Sequence, residues 1–162
     1  MNEIRDKIWY FLVDSRTNEI LSSLIVKKYQ KWDLYTNIFL VITTSLSVAA
    51  WTIWNIYPTL WALIIGLSQL MTLIKPYFLF PKYIKVFNEK SIRWQHITLE
   101  LDEIWFGLNN DIIDEKKAST LYFELKKKSL TFDNVPDDII FFNHNKIHAI
   151  AESQCDYTLT KI

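Results

Sequence analysis

From Leu34 to Ile74 the chain runs for 41 residues without an Asp, Glu, Lys, Arg or His. A helix needs roughly 20 apolar residues to cross about 30 Å of hydrocarbon, so this stretch is long enough for two crossings. It is interrupted once, at Trp54-Asn55-Ile56-Tyr57-Pro58. Proline lacks the N–H that a helix interior requires but suits a first turn, so Pro58 ends one helix and opens the next. The reading is a transmembrane hairpin with spans at about 34–55 and 58–80. A soluble core helix would carry a polar face, whereas these segments offer few polar groups, among them Thr, Ser, Asn55 and Gln69.

The flanks agree with this reading. Trp51, Trp54, Tyr57 and Trp61 cluster about the turn, and Trp32, Tyr35, Tyr77 and Phe78 at the opposite level, as aromatic belts do. Lys27, Lys28 and Lys31 precede the first span, while Lys75, Lys82, Lys85, Lys90 and Arg93 follow the second. The positive-inside rule then places both termini in the cytoplasm, with Lys75 snorkelling to the interface. The 33 residues ahead of the first apolar run argue against a secretory signal peptide.

Composition removes other classes. Lys+Arg and Asp+Glu are 18 each among 162 residues, so bulk charge does not favour nucleic acid, and direct nucleic-acid binding is not expected. Half the residues are hydrophobic, too many for disorder. One cysteine cannot form an internal disulfide.

Outside the spans the pattern is helical, which makes the fold class an all-α membrane protein. Three regions follow: an N-terminal cytoplasmic helix 1–33, the hairpin 34–80, and a C-terminal helical cytoplasmic region 81–162. In the first, Ile4, Ile8, Phe11 and Leu12 form one stripe, and Ile20, Leu21, Leu24, Ile25 and Trp32 another. Asp14-Ser15-Arg16-Thr17-Asn18 between them reads as a turn or as a polar stretch of one long helix. After Pro81 a helix runs to about Leu108, with Ile84, Phe87, Trp94, Ile97, Leu101, Ile104, Trp105 and Leu108 spaced by three and four. Gly107-Leu108-Asn109-Asn110 is its stop. Further helices are expected at about 112–130 and 136–157, although Phe141-Phe142 also suits a short strand.

No motif carries catalysis. There is no P-loop, GxGxxG, GxSxG or HExxH, and Gly66 and Gly107 are too few for a phosphate loop. His144, His148 and Glu152 share a helical face, as metal ligands do, yet no second cluster completes a set. Cys155 is a lone thiol and His96 a surface residue. Asp102 and Glu103 are adjacent, so they diverge on a helix. Lys126-Lys127-Lys128 suits a helix C-terminus or anionic lipid. The expectation is a non-enzyme with no cofactor and no metal.

Within the spans, Thr36, Thr43, Ser47 and Ala50 line one face, while Ala62, Gly66 and Gln69 with Thr72 mark another. Small and hydroxyl residues let helices approach and bond. This face either joins the two spans within one hairpin or meets its copies between subunits and lines a polar path. Trp94 and Trp105 are a candidate cytoplasmic packing surface, or else intrachain core.

The layout resembles the SLATT family, the two-transmembrane effectors associated with bacterial SMODS and SLOG conflict systems and with some retrons. The resemblance covers roughly 18–130. It rests on Lys27-Lys28-Tyr29-Gln30-Lys31-Trp32 leading into span one, the Asn55–Pro58 turn, Trp61 to Gln69, and the charged helices after Lys82 with Trp94 and Trp105. It implies an antiviral defence effector of the bacterial inner membrane. Such an effector forms a homo-oligomer on signal, contacts membrane lipids and permeabilises the membrane. It also implies a sensor or signal-generating partner encoded nearby, of nucleotide second-messenger or retron type. The alternative is a non-conducting membrane-anchored scaffold.

Overall fold

The computed structural model describes residues 3–45, 58–78, 80–132 and 145–159, and among these every element is helical. Helix α1 is Glu3–Ser45, α2 is Pro58–Ile74, a 3-10 turn covers Lys75–Tyr77, α3 is Phe80–Asn109, α4 is Glu115–Leu130 and α5 is Asn145–Leu159. Ser47, Ala50, Trp51, Trp54, Tyr57, Phe141, Phe142 and His144 lie outside the described residues. So does the second half of the expected first span.

The polar stretch Asp14–Asn18 is not a turn; α1 runs straight through it. Its side chains are satisfied along the helix. Thr17 Oγ1 donates to Val13 O at 2.9 Å and Asn18 Nδ2 to Asp14 O at 3.0 Å. The expected 58–80 helix is shorter than its sequence suggested. Pro76 has no N–H to donate, so the α-helix stops at Ile74 and the chain tightens into a 3-10 turn, closed by Phe78 N donating to Lys75 O at 3.0 Å. Proline then recurs at Pro81, in the first turn of α3, where a missing N–H costs nothing. Helix α4 begins at Glu115 rather than near 112, because Asp114 caps it: the carboxylate accepts from Lys117 N at 2.9 Å. Glu115 in its first turn and Lys127 and Lys128 in its last complement the helix dipole.

Two compact units result, residues 1–26 with 84–162, and residues 27–83. Tyr29 and Tyr83, at the edges of the second unit, stack at 4.9 Å between ring centroids.

The first unit has one hydrophobic core. Ile8 and Leu12 of α1 meet Trp94, Ile97, Leu101, Ile104 and Leu108 of α3 and Ala118, Tyr122 and Leu125 of α4. Trp94 is buried and packs edge-on against Phe132. Trp105 is half-buried against Trp9, with centroids 5.1 Å apart. Of the two alternatives for these tryptophans, the packing is that of intrachain core, with Trp94 inside it and Trp105 at its edge. The three- and four-residue spacing put them on the same inward stripe as Ile97 and Leu101. Gly107 sits under Ile113, whose side chain would be 2.6 Å from an added Cβ. Asp111 takes the left-handed conformation, φ 55°, that turns the chain into α4.

Between α1 and α3 runs a polar seam. Thr98 and Ser15 are buried, with their hydroxyls 3.4 Å apart, and Ser91 Oγ donates to Glu19 O at 3.3 Å. Arg16 lies 3.7 Å from Asp102. Burial pushes the Glu19 carboxyl up, against the opposing pull of Arg16 and the Thr98 hydroxyl, and burial likewise raises Asp102 against Arg16.

Two outcomes test this core. Leu101→Ala should cost about 2–5 kcal/mol by leaving a cavity, whereas Ile112→Ala, at an exposed position, should cost under ~0.5 kcal/mol in thermal unfolding of the detergent-solubilised protein. Equal losses would contradict the packing. A carboxylate whose pKa is raised on folding favours the fold while protonated, and that contribution is lost as pH rises through the folded value. Stability from Glu19 and Asp102 should therefore fall as pH rises from about 4 towards neutrality. Glu19→Gln should flatten that slope in a pH series of unfolding midpoints, and an unchanged slope would contradict the seam.

Candidate membrane interface

Helix α2, PTLWALIIGLSQLMTLI, contains no charge. With the 3-10 turn it makes a 20-residue stretch, Pro58–Tyr77, of which only 6% is buried. Among the described residues it is the one helical stretch long and apolar enough to cross a membrane. Leu60, Leu63, Leu67, Leu70 and Leu73 are all exposed, Leu73 to 69%. The facing part of α1 repeats this, with Leu34, Tyr35, Ile38, Val41 and Ile42 exposed. Burying a leucine is worth about 1.5–3 kcal/mol, so water is an expensive surrounding for such a surface.

The polar atoms on these helices turn inward to their own backbone. Thr36 Oγ1 donates to Trp32 O at 2.9 Å, Thr43 Oγ1 to Phe39 O at 3.0 Å, Ser68 Oγ to Ile65 O at 2.8 Å and Thr72 Oγ1 to Ser68 O at 2.8 Å. Each hydroxyl is thereby satisfied without water, as a hydrocarbon surrounding demands.

The buried face of α2 is centred on Ser68, with Ile64 and Met71 half-buried beside it at spacings of four and three. Thr36 is a buried hydroxyl on the apolar part of α1. The small-residue face of α2 lies elsewhere: Ala62, Gly66, Gln69 and Thr72 are exposed, and nothing approaches within 4 Å of a Cβ built on Gly66. At about 100° per residue, Gly66 and Ala62 lie roughly 160° and 120° around the helix from Ser68, Gln69 about 100° and Thr72 about 40°. Thr43 is half-buried on α1, while Ser47 and Ala50 of the same expected face are outside the described residues. Ser68 was missed in the sequence, where one serine among leucines has no distinguishing spacing.

A polar clamp closes one end. Lys75 Nζ donates to Asn37 Oδ1 at 2.6 Å, and Asn37 Nδ2 donates to Asp33 Oδ2 at 3.1 Å. Trp32, Tyr35 and Tyr77 are exposed around this level. Tyr29 stacks on Tyr83 and lies tilted against Phe80, and Phe78 stacks on Phe80 at 5.0 Å. A cation, three amphipathic rings and a carboxylate at one height are what a membrane–water boundary accommodates. The Tyr29 hydroxyl has its pKa raised by burial and by the neighbouring Tyr83.

Other candidate groups stay apart. His148 Nδ1 is 3.2 Å from Glu152 Oε1 on the α5 surface, and no metal-binding group of three exists among the described residues. Cys155 is buried, with its sulfur 3.7 Å from Val13 O. His96 and Glu103 are exposed, while Asp102 turns to Arg16. Lys128 pairs with Glu100 at 2.8 Å. No protein-family model, curated protein or solved structure significantly matches this chain.

The two faces of α2 should respond oppositely to added bulk. Ser68→Leu should destabilise by about 1–3 kcal/mol through overpacking, while Gly66→Leu should leave thermal stability in detergent unchanged or slightly higher. The reverse order would contradict the assignment of faces.

Proposed function

We propose that residues 34–80 form a two-span hairpin in a cytoplasmic membrane, with both termini on the cationic, cytoplasmic side. The observation that carries this is the Pro58–Tyr77 stretch, whose one charge is Lys75 at its end and whose apolar window is 6% buried; a soluble core helix of that composition would be mostly buried. The clamp of Lys75, Asn37 and Asp33 and its aromatic ring mark the cytoplasmic boundary.

The protein acts without catalysis, as an effector that assembles from several copies and lets ions leak. Two helices alone enclose no path, so conduction needs an oligomer. The open Ala62-Gly66-Gln69 face is the surface through which α2 helices approach one another, with Gln69 supplying an amide to the path. The SLATT-like layout favours a defence setting in which a partner's signal shifts the equilibrium toward the assembled state, by binding that state more tightly. A second reading, a non-conducting anchor, is favoured by one observation: the hydroxyls of Thr43, Ser68 and Thr72 bond their own helix and leave little to line a channel.

The test is dye release from liposomes holding the purified protein, alongside membrane-potential imaging during induced expression. Leakage reduced severalfold by Gly66→Leu and by Gln69→Leu, at equal protein level, is expected. No leakage from wild type in either assay selects the anchor, and undiminished leakage from both variants removes the assigned face.

A further inference from the structure

Helix α4 turns one face to its own core and leaves the opposite one open. Lys116, Thr120, Phe123, Lys127 and Leu130 follow one another at spacings of four and three, so they form one ridge along the helix, opposite Leu125. All five are exposed, Phe123 to 54% and Leu130 to 69%. Phe123 meets Tyr122 edge-on, with centroids 5.2 Å apart, and leaves half its surface open. Among the described residues neither Lys116 nor Lys127 has an ion-pair partner. Lys116 stands in the first turn, where the helix dipole disfavours a cation, so its own helix gains nothing from it.

The complement of this ridge lies on the same body. Between α3 and α4 is a groove of about 310 Å³, floored by Ile104, Leu121 and Leu125 and edged by Glu100, Glu103 and Glu124. Lys128 answers Glu100 at 2.8 Å. Glu103 and Glu124 are exposed and have no ion-pair partner among the described residues. The groove is therefore apolar within and carries two uncompensated carboxylates on its rim, while the ridge sets an aromatic ring between two uncompensated cations. At about 100° per residue, Leu121, Glu124 and Lys128 lie roughly 110° around α4 from the ridge. A chain cannot seat its own ridge in its own groove, but it offers the two to different neighbours at once.

We propose that the α4 ridge of one copy seats in the α3–α4 groove of the next, head to tail, with the α4 helices side by side and parallel. Phe123 then enters over Leu121 and Leu125 of the partner subunit, and Lys127 reaches Glu124 of the partner subunit. The register follows from closure. Copies related by rotation about an axis along α4, with no rise between them, form a ring and meet at equal heights. At equal height Phe123 stands about 3 Å from the levels of Leu121 and Leu125, and Lys127 about 4.5 Å from that of Glu124, within reach of these side chains. A central aromatic anchor with charges at its rim concentrates binding in a small area. One helix-wide contact is still small beside the ~1,200–2,000 Å² of a stable soluble interface. It therefore relies on confinement of the copies to one bilayer, and so rests on the membrane reading above.

The test uses full-length protein in liposomes, in a Cys155→Ala background. Single-cysteine proteins Phe123→Cys, on the ridge, and Glu103→Cys, on the groove rim, are treated with a short bismaleimide, alone and mixed. The mixture should give cross-linked dimer severalfold above either protein alone. Tyr10→Cys, 72% exposed on α1, replaces Glu103→Cys as the control and should not link to Phe123→Cys. Lys127→Glu carried on both chains should cut the mixed dimer severalfold, as should Glu124→Lys, and the two together should restore it. Product from Phe123→Cys alone equal to that of the mixture would mean ridge against ridge and overturn the proposal. Equal yield with Tyr10→Cys, no product, or no loss from either charge reversal would overturn it as well. Cross-linked product without dye release would sink the conduction reading and leave this contact standing, whereas dye release without product would do the opposite.

Discussion

An apolar helix that finds almost no partner in its own chain constrains everything else here. Pro58–Tyr77 exposes leucine after leucine. Its backbone is satisfied by helical bonds, and its hydroxyls are satisfied by the carbonyls one turn behind. Gln69 remains exposed among the leucines, and most of the surface that the helix presents is apolar. The Lys75–Asn37–Asp33 clamp and the stacked tyrosines then fix where that demand stops.

The helical body has a conventional economy. Its core is one inward stripe of α3 met by α1 and α4, with small polar residues, Ser15 and Thr98, where α1 and α3 come closest. Small side chains shorten that approach and bond locally. The half-buried Glu19, Arg16 and Asp102 at its margin make that seam sensitive to pH. Helix ends are set by single residues: Asp114 caps α4, Asp111 turns left-handed, and Pro76 breaks the run into α3.

Much of this was legible before the structure. The stripe from Phe87 to Leu108 was read correctly because burial on one side of a helix imposes a three-and-four spacing. Asp14–Asn18 was ambiguous, since a polar run is both a turn signal and a wet helix face, and only the packing of Ser15 on Thr98 decides. The Ala62-Gly66-Gln69 face was identified, but its direction was not: small-residue spacing says that something can approach, not what. Asn37 escaped notice because it acts through a partner far away in sequence, Lys75.

The account stands on α2 being surrounded by lipid, and spin labels at Leu60, Leu63, Leu67, Leu70 and Leu73 in liposomes report that surrounding directly. Preferential relaxation by dissolved oxygen over a water-soluble nickel chelate at all five, strongest near Leu67, is the predicted result. Relaxation dominated by the nickel chelate along the helix would contradict it.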